Sequence, residues 1–178
     1  MIYAFETDTV WGFGANINDK AGIDGIYEIK NRDRSKPLIL MSNKVENLLP
    51  YVKKIPYSAR ALMKDYFPGA LTLVLEKSDI FPKFLNPEFS TVGIRVPNHA
   101  GFQDFCAKNS NLVLATTSAN VSSEPPCANA DEVAARFGNK VKVVGIESGN
   151  SGKSSTVVAF DGEIVKILRQ GDVELKNS

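Results

Sequence analysis

Histidine is all but missing from this chain, with a single residue, His99, among 178. Ser–His catalysis would have only that imidazole to draw on. Val96-Pro97-Asn98-His99 reads as a strand end entering a helix, so His99 is assigned no chemistry. Cysteine is almost as scarce. Cys106 and Cys127 share no CxxC spacing, which argues against a zinc site or a disulfide framework and leaves two small core or surface residues. No apolar run approaches the ~20 residues that span a bilayer, and Met1 to Phe5 lacks the length and basic flank of a signal peptide. The expectation is a cytoplasmic protein with no membrane partner. Net charge is missing too: 21 Lys and Arg against 20 Asp and Glu leave +1. The chain therefore has no molecule-wide field to draw in nucleic acid, and any polyanion must be held locally. No repeat, low-complexity block or linker interrupts it, and a 43% hydrophobic composition is enough to bury the core of a single domain over residues 1–178.

What is present is one local concentration of positive charge. Lys30, Arg32, Arg34 and Lys36 place four cations within seven residues. By itself such a run is more often a solvated face than a site. Residues two apart on a helix do not face each other, so Lys30 and Arg32 can meet one ligand only if the backbone turns between or just after them. Asp19 can cap a helix carrying Ile23, Ile26 and Tyr27 that ends at this cluster, and Pro37 then directs the chain into a strand at Leu38 to Met41.

The remaining pattern alternates strands with helices. Ile2 to Phe5 reads as a strand opening into a loop, Val10 to Gly14, that contains two glycines. Asn43 is expected to cap a short helix from Val45 to Leu49, and Pro56 to open a helix through Tyr66. Strands are expected at Leu71 to Leu75 and at Thr91 to Val96, where alternation puts Thr91, Gly93 and Arg95 on one face. Arg95 then points either to solvent or into a polar cleft. A helix from His99 to Lys108 leads to a strand at Leu112 to Ala115 that runs into Thr116-Thr117-Ser118-Ala119-Asn120. Small hydroxyl and amide groups at a strand end suit ligand binding, with helix capping as the plainer alternative. A helix at Asp131 to Phe137, a strand at Val141 to Val144 and a hairpin across Asp161-Gly162 complete the reading.

Gly149-Asn150-Ser151-Gly152-Lys153-Ser154 resembles the end of a phosphate-binding P-loop, but the position needing the first glycine is Glu147. The residues that follow, Ser155 to Phe160, are β-branched and strand-like where a P-loop must feed a helix. A Gly/Ser loop over a cleft, anchored at Ser155 and Thr156, is the better expectation.

Seven segments taken in order resemble the YrdC/YciO family: Thr7-Asp8-Thr9-Val10-Trp11-Gly12, Lys30-Asn31-Arg32, Pro68 to Thr72, Thr91 to Pro97, Thr117-Ser118-Ala119-Asn120, Ser155-Thr156-Val157 and Leu168 to Gly171. No one segment is specific, whereas their order and spacing along nearly the whole chain are. The resemblance is to short, single-domain members. It implies an α/β fold of three layers whose twisted mixed sheet surrounds a positively charged cavity. The implied activity joins L-threonine, bicarbonate and ATP into L-threonylcarbamoyladenylate and pyrophosphate, for threonylcarbamoyladenosine modification of tRNA.

The resemblance also assigns residues. Lys30, Arg32, Ser118 and Asn120 match the family's K-x-R and S-x-N signature around the reaction centre. Thr9, Arg95, Thr116 and Ser155 match a threonine-binding set, and Lys36, Thr91 and Arg169, with Arg32 and Ser118, match ATP contacts. Mg²⁺ is expected to arrive with ATP, without a dedicated protein site, and tRNA or a threonylcarbamoyl-transferase complex is a further expected partner. The alternative is a YciO-like paralogue or RNA-binding module of the same fold without this activity. Glu6 stands where the family usually has proline and Trp11 where tyrosine is common. Glu6 adds an anion near the site, either to repel ATP or to pair with a basic residue.

Overall fold

A computed structural model describes residues 1–176. Asn177 and Ser178, which the sequence reading included in the single domain, lie outside the described residues. In chain order the elements are β1 (Tyr3–Phe5), β2 (Gly12–Asn16), α1 (Lys20–Lys30), β3 (Ile39–Met41), β4 (Val52–Lys53), α2 (Tyr57–Tyr66), β5 (Leu71–Lys77), β6 (Thr91–Arg95), α3 (Ala100–Lys108), β7 (Leu114–Ser118), α4 (Ala130–Phe137), β8 (Lys142–Val143), β9 (Thr156–Asp161) and β10 (Ile164–Arg169). All ten described strands join one sheet in the order β10-β9-β5-β6-β3-β7-β2-β1-β8, with β4 added beside β5. It is a mixed sheet: β3 with β6, β5 with β9 and β1 with β8 run parallel, and the remaining pairs are antiparallel.

The two faces of the sheet separate by residue parity, as pleating requires. Ala4, Leu40 and Ala115 belong to the main core, which takes in Ile23 and Ile26 of α1 and Val133 and Phe137 of α4. Their strand neighbours Phe5, Met41 and Leu114 point the other way, into a second cluster with Phe102 and Cys106 of α3. Helices thus cover both faces, which is the layering expected. On the α3 side the apolar cover stops short. Beyond it the same parity of β5, β6 and β7 carries Thr72, Thr91, Gly93, Arg95, Thr116 and Ser118, all of which face a cavity.

Helix α1 follows its local signals. The Asp19 carboxylate accepts from Gly22 N at 2.9 Å, and the helix ends at Asn31 in the left-handed conformation, φ 48, which asparagine tolerates better than most residues. This is the backbone turn between Lys30 and Arg32 that convergence on one site demands.

Elsewhere the structure corrects the sequence reading. The Val10 to Gly14 segment is not a glycine loop, because Gly12 to Asn16 form β2, between β1 and β7. Its glycines serve packing: a Cβ on Gly12 or Gly14 would lie 2.9 or 3.0 Å from the Phe5 ring. Asn43 caps no helix. Val45–Asn47 and Leu49–Tyr51 are two separate 3₁₀ turns, and the Asn43 amide oxygen accepts from Asn47 Nδ2 instead. Helix α2 takes its cap from far along the chain, the Glu163 carboxylate accepting from Tyr57 N and Ser58 N at 3.2 and 2.9 Å. Thr116, Thr117 and Ser118 lie within β7 rather than after it. The Val141 to Val144 strand shortens to Lys142–Val143. Asp161 pairs with Ile164, so the hairpin loop is Gly162-Glu163, with Gly162 at φ 57.

Candidate functional site

The cavity has a volume of about 490 Å³ and is floored by β3, β5, β6 and β7. Its depth depends on Gly93, where a Cβ would meet Ile39 Cγ2 at 2.8 Å. The lining has three cations, Arg32, Arg95 and Arg169, and many hydroxyls, among them Thr9, Thr72, Thr91, Thr116, Ser118 and Ser155. Among the described lining residues there is no carboxylate, histidine or cysteine. General-base catalysis by imidazole or attack by a thiolate therefore has no group to run through at this wall, and the chemistry available is hydrogen bonding and charge stabilisation.

One end is organised around Arg95, which is 2% exposed. Its Nε donates to Gly69 O at 3.0 Å, Nη1 donates to Thr9 Oγ1 at 2.8 Å, and Nη2 is ion-paired with Asp8. Asp8 thus compensates a buried charge that would otherwise be costly. Ser155 is held beside it: its hydroxyl lies 2.9 Å from Thr72 Oγ1, and its carbonyl accepts from Arg169 Nε and Nη2 at 3.1 and 2.8 Å. The four residues of the expected threonine set, Thr9, Arg95, Thr116 and Ser155, all reach the cavity, as do Thr91 and Arg169.

The basic cluster divides. Arg32 lines the cavity and donates from Nη2 to Pro37 O at 2.9 Å, while its buried Nε has no partner among the described residues. Lys30 is 1% exposed and is not part of the cavity wall. Its ammonium donates to Ser118 O at 2.5 Å, Asn120 O at 2.9 Å and Asn120 Oδ1 at 2.6 Å. Asn120 Oδ1 also accepts from Ser118 Oγ at 2.6 Å. Lys30 and Asn120, expected at the reaction centre, thus stand behind Ser118 and set its position. Burial, with Arg32 close by, pushes the Lys30 pKa down to about 7. Lys36, expected on ATP, is exposed and outside the cavity wall, and its carbonyl accepts from Tyr27 OH at 2.8 Å. Arg34, the fourth cation of the cluster, is exposed and pairs with Asp24 at 2.5 Å.

Sequence reasoning missed Thr72 and Trp11 as cavity residues. Thr72 was legible as the one polar residue in Leu71-Thr72-Leu73-Val74-Leu75. Trp11, 1% exposed, lines the cavity with its buried Nε1 unpartnered among the described residues, and it is the chain's only tryptophan. Intrinsic fluorescence is therefore a reporter of occupancy. Titration with MgATP is expected to change the emission saturably in the wild type and to leave Trp11→Phe silent. A wild-type spectrum that ignores MgATP would place the nucleotide elsewhere.

Comparison with known proteins bears on the family and the fold. The Sua5/YciO/YrdC family model, described as telomere recombination, matches residues 1–171. A threonylcarbamoyl-AMP synthase of Pyrococcus abyssi is 35% identical over 177 residues, covering 98% of this chain and 52% of its own length. One of Pseudoalteromonas atlantica is 32% identical over 158 residues, covering 88% of this chain and 84% of its own. The crystal structure of Pyrococcus abyssi Sua5 complexed with L-threonine superposes with a TM-score of 0.87 at 34% identity, over 96% of this chain and 50% of that one. The chain thus spans about half the length of the Pyrococcus relative. With the match running over nearly all of the described residues and over most of a similar-sized bacterial relative, this chain belongs to the Sua5/YciO/YrdC family.

Proposed function

We propose that this chain is an L-threonylcarbamoyladenylate synthase. L-Threonine and bicarbonate give N-carboxy-threonine with loss of water. A carbamate oxygen attacks the α-phosphorus of ATP, the bond to the β-phosphate oxygen breaks, and pyrophosphate leaves. The observation that carries this reading is the cavity wall itself: three guanidiniums among hydroxyls, with no carboxylate, histidine or cysteine in the described lining. Carbamate, phosphate and amino-acid carboxylate are all anions, and a transition state that gathers negative charge is served by fixed donors rather than a covalent nucleophile.

In this reading Arg95, Thr9, Thr116 and Ser155 take the amino acid, Arg32 and Ser118 meet the carbamate and α-phosphate, and Thr91 and Arg169 contact the nucleotide. Mg²⁺ enters with ATP. Among the described residues no group of three or more His, Cys, Asp or Glu could hold a metal ion; in this reading phosphate oxygens and water would be the ligands of the Mg²⁺. The chemistry such an ion would supply is neutralisation of the departing pyrophosphate. In this reading the adenylate then passes to a threonylcarbamoyl-transferase complex acting on tRNA, and the protein works in the cytoplasm. Among the described residues no helix is long and apolar enough to cross a membrane.

Purified protein with MgATP and bicarbonate is expected to release pyrophosphate only when L-threonine is added, and to accumulate the adenylate. Binding of ATP without adenylate formation under those conditions would sink the proposal. Salt-dependent RNA binding with no threonine requirement would favour the RNA-binding alternative.

A further inference from the structure

Glu6 is a buried carboxylate outside the cavity wall, and it answers the question that its unusual position in the sequence raises. It is 6% exposed. Its Oε2 accepts from Ser148 N at 2.7 Å, Gly149 N at 3.2 Å and His99 Nε2 at 2.9 Å, and its Oε1 accepts from Asn150 Nδ2 at 2.8 Å. His99 Nδ1 accepts from Phe102 N at 3.2 Å, which leaves the ring proton on Nε2, facing Glu6. Burial works against the ionised carboxyl, but these donors outweigh it and hold Glu6 below the usual carboxylate range. The Gly/Ser loop that resembles a P-loop thus wraps an anion supplied by the chain itself.

We infer that Glu6 is a positioning residue that fixes the amino-acid end of the cavity by clamping the 148–152 loop to the segment running from Glu6 to Thr9. The inference rests on the functional reading above. The loop continues from the clamp into two backbone bonds, Ser151 N to Asp8 O at 3.0 Å and Gly152 N to Thr9 O at 2.8 Å. It then reaches Ser154 and Ser155 at the cavity wall. On the other strand of the clamp, Asp8 and Thr9 are the two side chains that hold Arg95. Both sides of the amino-acid end therefore hang from the same carboxylate. A neutral anchor could tie the loop down, but only a carboxylate accepts from four converging donors at once.

The test compares wild type with Glu6→Ala, Glu6→Gln and Asn150→Ala. Its three readouts are trypsin cleavage after the exposed Lys153, calorimetric affinity for L-threonine, and affinity for MgATP. Glu6→Ala is expected to speed cleavage and to weaken L-threonine at least about tenfold, while MgATP binding stays within about twofold. Glu6→Gln, which keeps one acceptor oxygen, is expected to fall between. Faster cleavage with unchanged L-threonine affinity overturns the inference, as does an equal loss of both ligands alongside a lower melting temperature. If Glu6→Ala does not fold, Asn150→Ala removes one bond of the four from an exposed position and decides on the same criteria with a smaller effect. A wild type that binds no L-threonine overturns the functional reading instead, and the cleavage rates then decide the clamp alone.

Discussion

Replacing Arg32 with alanine is expected to lower threonine-dependent pyrophosphate release by about a hundred- to a thousandfold, the usual effect of removing one preorganised charged donor. Arg32 leaves α1 at the left-handed Asn31 and is braced by one carbonyl, Pro37 O, which occupies a single corner of its fork. No carboxylate among the described lining residues competes for the rest. Arg95 differs, because Asp8 already compensates it. Arg169 gives both Nε and Nη2 to Ser155 O, so Arg32 is the least engaged of the three cavity guanidiniums to meet charge that builds during the reaction, and its loss should appear mainly in kcat. Arg32→Lys returns the charge without the planar fork and is expected to recover only part of the rate. Initial rates at saturating ATP, L-threonine and bicarbonate, with the Trp11 emission as a check on MgATP binding, provide the measurement. An Arg32→Ala enzyme within about threefold of wild type would remove Arg32 from the chemistry.

The floor of the site was legible in the sequence because strands write their two faces in alternate letters. Leu71-Thr72-Leu73 and Thr91-Val92-Gly93-Ile94-Arg95 show an apolar face and a polar one. The polar face became the cavity because the apolar cover contributed by α3 stops before it. The division within the basic cluster was not legible. Lys30 and Arg32 look equivalent in sequence, and what separates them is a single left-handed residue, Asn31, together with oxygens supplied from Ser118 and Asn120, some ninety residues away. Gly12 and Gly14 misled for a related reason. Glycine signals a turn locally, but here the Phe5 ring requires their missing side chains. Glu6 could be recognised as unusual, yet its donors come from His99 and from the loop at Ser148 to Asn150, a long-range meeting that no local pattern announces.

Lys30→Met is expected to destabilise the fold by about 3 kcal/mol or more, since it leaves Ser118 O, Asn120 O and Asn120 Oδ1 without their shared donor in a buried place. The loss also carries a pH signature. Burial and Arg32 lower the folded-state pKa of Lys30 to about 7 from the ordinary 10.5. Below pH 7 both folded and unfolded chains hold the proton, and this group adds no slope. Between about pH 7 and pH 10 the unfolded chain still binds a proton that the folded chain has released, so stability rises with pH through that window. The slope vanishes in Lys30→Met. Urea unfolding of both proteins at about pH 6 and about pH 9 is therefore expected to show a gap between them that widens at the higher pH. A gap that does not change with pH would mean that the three oxygens keep Lys30 fully charged throughout. Ser118 would then be positioned by a permanent ammonium rather than by one that titrates near neutrality.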